Sequence, residues 1–173
     1  MNDRNEFESK DLDFLKSTKR PNLPPSDKMV KFGLEMLSHS SIGIELLDFI
    51  REKNIKIKVI TGPEERAFAP DNENVVIMLK TVNPANPSRF VLLLVSGVRE
   101  LMQQEDGIEK PGYVGQRDDI LEKFRVSTGD KVGYMCAVAY EINEILTFSN
   151  YHITEELKKM GYKKDWDTFL QAI

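Results

Sequence analysis

The apolar residues Val91, Leu94, Val95, Val98, Leu101 and Met102 recur at offsets of three and four within one stretch of a 173-residue chain. Only an α-helix places such positions on one face, so the fold must be built around a helix here, with that stripe turned inward. Pro84 and Pro87 precede it and Asp106-Gly107 supplies a stop, which predicts a long helix over residues 86–105. A second long helix is expected over residues 116–146, with Val132, Met135, Cys136, Ala139 and Ile142 inward and a break near residues 127–129. Between the two, residues 107–115 contain Gly107, Pro111, Gly112 and Gly115 and read as a loop.

Smaller elements precede and follow this pair. Ser26 is placed to cap a helix carrying Met29, Phe32, Met36 and Leu37, and Ser40 or Ser41 to cap a second one with Ile44, Leu47 and Ile50 inward. Residues 55–61 alternate apolar and basic, the pattern of a strand with one buried face, and Gly62-Pro63 ends it. Residues 74–79 are a β-branched run entered from Pro70-Asp71-Asn72, with Phe68 in a short strand just before. Two short helices are expected over residues 154–159 and 164–172. The fold class that follows is α+β and helix-rich, a small antiparallel sheet packed on two long helices. The chain has length for one well-buried core, so residues 27–173 read as a single domain. Residues 1–26 are polar apart from Leu12, Phe14 and Leu15, end in Pro21, Pro24 and Pro25, and read as a flexible N-terminal tail.

Composition narrows the partners. The chain has 24 basic and 28 acidic residues with no block of basic charge, so nucleic acid is not an expected partner. Cys136 is the one cysteine, which excludes an intramolecular disulfide and a four-cysteine metal site. It sits on an apolar helix stripe, where a thiol behaves as a small inert hydrophobe. The first residues lack the apolar core of a signal peptide. The longest apolar run, residues 90–95, falls far short of the roughly 20 residues that span a bilayer. A cytoplasmic protein with no membrane segment is expected.

The segment Gly43-Ile44-Glu45-Leu46-Leu47 before an alternating strand, the strand at residues 75–79, the apolar lead-in at residues 90–95 and Gln103 beyond it together resemble a bacterial family of zincin-like metallopeptidases, from about residue 40 onward. In that family the long helix carries His-Glu-x-x-His. Two imidazoles one turn apart hold zinc, and the glutamate between them takes a proton from the bound water. The matching positions here are Ser96, Gly97, Val98, Arg99 and Glu100, which cannot supply that chemistry. A later acidic motif matches Thr128-Gly129-Asp130-Lys131, with Asp130 as the remaining carboxylate. The resemblance therefore implies a degenerate member, a pseudoenzyme without catalytic residues, metal or cofactor, that binds a protein or peptide in the old cleft. The candidate binding residues are Ser96, Gly97, Arg99, Glu100 and Asp130, with Tyr113 on the loop at residues 111–115; the strand at residues 74–79 would pair with an extended partner by its edge.

Other readings stand beside this one. An active metal-dependent hydrolase would need His39 or His152 to meet Asp130, Glu100 or Glu105 in space. Ser96 and Glu100, one turn apart, suggest a nucleophile and base, but without an orienting histidine. Ser96 and Gly97 also suit close approach of another segment to the helix. Arg99, Glu100, Gln103 and Gln104 read equally as a solvated face. A helical assembly module in which residues 1–26 dock on a partner or a second copy is a further alternative. The sequence leaves the oligomeric state open.

Overall fold

The computed structural model describes residues 25–83, 87–109, 114–145 and 153–162, together with residue 171. Residues 1–24 of the expected tail, Tyr113, His152 and all but residue 171 of the helix expected over residues 164–172 lie outside the described residues.

Helix α1, Pro25–Leu37, begins one residue before the expected cap, with Pro25 in the first turn, where its missing N–H costs nothing. Met29, Gly33, Met36 and Leu37 form its buried face. A short turn leads to Ser40, whose Oγ accepts the Gly43 N–H at 3.0 Å and caps α2, Ser41–Glu52. The helix ends at Lys53, and Asn54 takes a left-handed conformation with φ of 52° that turns the chain into the sheet.

The sheet comprises β1, Lys56–Thr61, β2, Arg66–Phe68, and β3, Asn74–Leu79. Its order is β1-β3-β2, with β1 parallel to β3 and β2 antiparallel to it. The sheet is therefore mixed, not the antiparallel one expected. The expected edge strand at residues 74–79 is its centre. The physical reason lies in burial. Val75, Ile77 and Leu79 on β3 are all buried, whereas β1 exposes Lys56 and Lys58, which suit an edge. β3 follows β2 through a short hairpin in which Asp71 Oδ1 accepts the N–H groups of Glu73 and Asn74 at 2.8 and 2.7 Å. It then enters the slot between β1 and β2, so it runs parallel to β1.

Helix α3, Ser88–Glu105, is the central element. It packs against α1, α2, β2, β3 and the helices that follow, and it is buried on nearly every side rather than along one stripe. The sheet closes onto it at Gly97, where an added Cβ would lie 2.5 Å from Val75 Cγ1 and 3.2 Å from Ala67 Cβ. Asp106 and Gly107, the latter with φ of 74°, end the helix where the sequence places the stop.

Helix α4, Arg117–Ile145, is continuous, so the expected break near residues 127–129 is absent. Ser127 turns inward and is bonded to α3, and Gly129 faces open space, so neither forces the backbone out of the helix. Tertiary support outweighs the cost of about 1 kcal/mol for a helical glycine. Helix α5, Ile153–Leu157, and a π-helical turn, Lys158–Tyr162, complete the described chain and lean on α3 and α4. The buried side chains of all these layers form one hydrophobic cluster. Among the described residues no helix is long and apolar enough to cross a membrane.

Candidate functional site

The strand β2, the helices α3 and α4 and the turn after α5 border an open cavity of about 410 Å³. Charged and polar side chains make up most of its wall, Leu93, Met135 and Met160 give it an apolar part, and the small side chain of Ser96 leaves it room. Residues Glu64, Glu65, Arg66 and Ala67 bring the chain leading into β2, and the strand itself, to its border; Lys80 and Tyr162 also line it. Arg89, Leu93 and Ser96 share a face of α3 because they lie four and three residues apart.

Arg89 is the charged centre of this region. Its guanidinium joins Glu65, ahead of β2, to Glu156 on α5, with Nε donating to Glu156 Oε2 at 3.0 Å. Lys159 Nζ reaches the other Glu156 oxygen at 2.9 Å. Burial alone would raise the Glu156 carboxyl, but Lys159 and Arg89 outweigh it and hold the group below its ordinary value. No local pattern points to this cluster, because Glu65 and Glu156 lie 24 and 67 residues from Arg89. The one available signal is an arginine immediately before the apolar run at residues 90–95.

A second polar cluster joins α3 to α4. Arg99 is only 4% exposed. It donates through Nε to Asp130 Oδ2 at 2.7 Å and through Nη2 to Asp130 Oδ1 at 3.0 Å, a bidentate pair. Its Nη1 lies 2.6 Å from Asp106 Oδ2, and its plane sits 4.3 Å from the centre of the Tyr134 ring. Burial works against the guanidinium charge, yet Asp130 and Asp106 more than offset it and raise the pKa of Arg99. Burial likewise pushes Asp130 up, and Arg99 and Gln103 bring it below its ordinary value. Gln103 Nε2 also donates to the Ser127 carbonyl at 2.7 Å, and Ser127 Oγ donates back to Gln103 Oε1 at 2.9 Å. This network is a buried polar clamp between two helices.

The candidate residues read from the sequence do not converge. Ser96 lines the cavity. Gly97 lies beneath the sheet, against Val75 and Ala67. Arg99 and Asp130 are spent on each other, so Arg99 is neither a cleft wall nor a solvated side chain. The reason is that α3 has neighbours on nearly all sides, and α4 meets the face carrying Arg99 and Gln103. Glu100 accepts the Ala69 N–H and the Lys131 ammonium, each at 3.5 Å. His39 stands in the turn between α1 and α2, and Glu105 pairs with Lys53 at 2.5 Å. Among the described residues no three His, Cys, Asp or Glu side chains gather in a way that could hold a metal ion. Cys136 is buried and unbridged.

Comparison with protein-family models, with curated proteins and with solved structures returned no match.

Proposed function

We propose that this chain is a non-catalytic binding domain that takes an extended peptide, or an extended segment of a protein, into the cavity beside β2. The observation that carries this reading is the junction of a sheet edge and a cavity that is charged over much of its wall and apolar at Leu93, Met135 and Met160. Among the described residues β2 is an outer strand with no strand paired on its far side, and residues 64–67 border the cavity. A peptide laid along β2 would gain main-chain hydrogen bonds there and would set an apolar side chain against Leu93, Met135 and Met160. The sequence reading assigned this role to β3; its central position moves the role to β2.

The likeness to metallopeptidases enters through the substituted helix positions. Ser96, Gly97 and Glu100 stand where the zinc ligands and the base would be, and Glu100 is held by Ala69 and Lys131.

Selection from a library of unstructured peptides, followed by fluorescence anisotropy on the full chain, tests the proposal. Selected peptides are expected to lose at least about tenfold in affinity to Ser96→Phe, which fills the cavity against Leu93 and Met135, with unchanged circular dichroism confirming that the variant folds. Peptides that bind Ser96→Phe as tightly as the parent chain would contradict the cavity as the site. A stoichiometric zinc that survives desalting and is lost on His39→Ala would overturn the non-catalytic reading.

A further inference from the structure

We propose that the first third of α4 is a self-association surface on which two copies of this chain pair antiparallel. The inward face of α4 is buried only from Ser127 onward. Residues 117–126 thus extend for about 15 Å along the surface, tied to the loop after α3 by the Lys123–Glu109 ion pair. Along its side, Arg117, Leu121, Phe124 and Thr128 follow the alternating spacing of four and three residues by which paired helices interlock. Leu121 is 41% and Phe124 56% exposed. A single exposed leucine needs no explanation, but adjacent layers of a helix-pairing seam on an unsupported stretch do.

Charge identifies the occupant as a second copy. An antiparallel pairing centred beside Glu122 and Lys123 seats Leu121 of each copy against Phe124 of the other. Asp118 and Arg125 flank the seam on one side, so each then faces its opposite charge on the other copy, twice over. A parallel pairing would set Arg125 against Ile120 and leave those charges unmet. Arg125 is available, since its contact with Glu122 is 4.0 Å long between largely exposed side chains. Two helices overlapping over so short a length bury less than the roughly 1,200 Å² of a stable interface, so the association is weak and concentration-dependent.

Sedimentation equilibrium on the full chain reads this directly. The mass is expected to rise from 19.9 kDa toward twice that value with a midpoint on the order of 100 µM. Phe124→Glu is expected to weaken the association about tenfold or more. Asp118→Arg and Arg125→Asp are each expected to weaken it about threefold, and the two together to restore it. All of these side chains are exposed, and unchanged helical circular dichroism confirms folding of each variant. A mass fixed at 19.9 kDa at every concentration overturns the proposal, as does a dimer indifferent to Phe124→Glu. Failure of the paired charge reversal to restore association overturns the antiparallel arrangement. A chain that associates only after residues 1–24 are removed would assign the face to those residues instead, and would equally overturn it.

Discussion

Arg99 shows how far a residue's role departs from its local pattern. A charged residue next to Glu100 and near Gln103 and Gln104 reads as part of a wet face, yet Arg99 and Gln103 are buried. Apart from Asp106, seven residues on, their partners come from α4, 24 to 31 residues away, so no helical spacing within α3 announces them. Asp130 and Arg99 were each legible as residues worth marking, but their pairing was not. Removing one member of a buried pair strands the other, which outweighs the modest net value of the intact pair. Asp130→Ala is therefore expected to cost about 3 kcal/mol in urea unfolding, because Asp106 is too exposed to compensate. The double change Arg99→Met with Asp130→Leu is expected to recover most of that loss. A cost for Asp130→Ala of under about 0.5 kcal/mol, the size typical of a surface change, would contradict the clamp.

The elements themselves were largely legible, and their arrangement was not. β3 occupies residues 74–79 as read from its β-branched run, Ser40 caps α2, and Asp106-Gly107 ends α3, because each is written in adjacent residues. Strand order is different. Neighbours in sequence commonly pair antiparallel, which is the basis of the expected sheet, but the more fully buried β3 takes the centre and leaves the lysine-bearing β1 outside. The contact between sheet and α3 depends on Gly97. Alanine there would gain up to about 1 kcal/mol in helix propensity, but its Cβ would meet Val75 at 2.5 Å, inside any normal contact. Overlap wins, and Gly97→Ala is expected to destabilise the fold by a net 1–2 kcal/mol, or about 3–5 °C of melting temperature. An unchanged or raised melting temperature would show that the sheet can shift away.

At the scale of the whole molecule, the cavity exists because segments far apart in sequence close on α3: residues 64–67 from one side, Met135 on α4 from another, and Met160 and Tyr162 after α5 from a third. Serine at position 96 was legible as a small residue on a helix; the space it opens depends on the tertiary packing and was not. The same closing elements carry carboxylates whose pKa values are lowered. Burial would raise each of them, but Arg99 and Gln103 at Asp130, Ser40 and Ser41 at Glu141, and Lys159 and Arg89 at Glu156 more than offset it. A lowered folded pKa means stability that is fully present above the unfolded value, near pH 4, and lost as pH falls through the folded value. The urea midpoint is thus expected to fall steeply below about pH 4, and less steeply in Ser41→Ala, which removes the hydroxyl donating to Glu141 at 2.6 Å. An identical fall in both proteins would contradict that role for Ser41. The central claim, that an extended peptide binds along β2 beside the cavity, is tested most directly by amide hydrogen exchange with and without a selected peptide. Binding is predicted to slow exchange at Arg66–Phe68 on β2 and to leave Lys56–Thr61 on β1 unchanged; protection confined to β1 or to α4, with β2 unaltered, would contradict it.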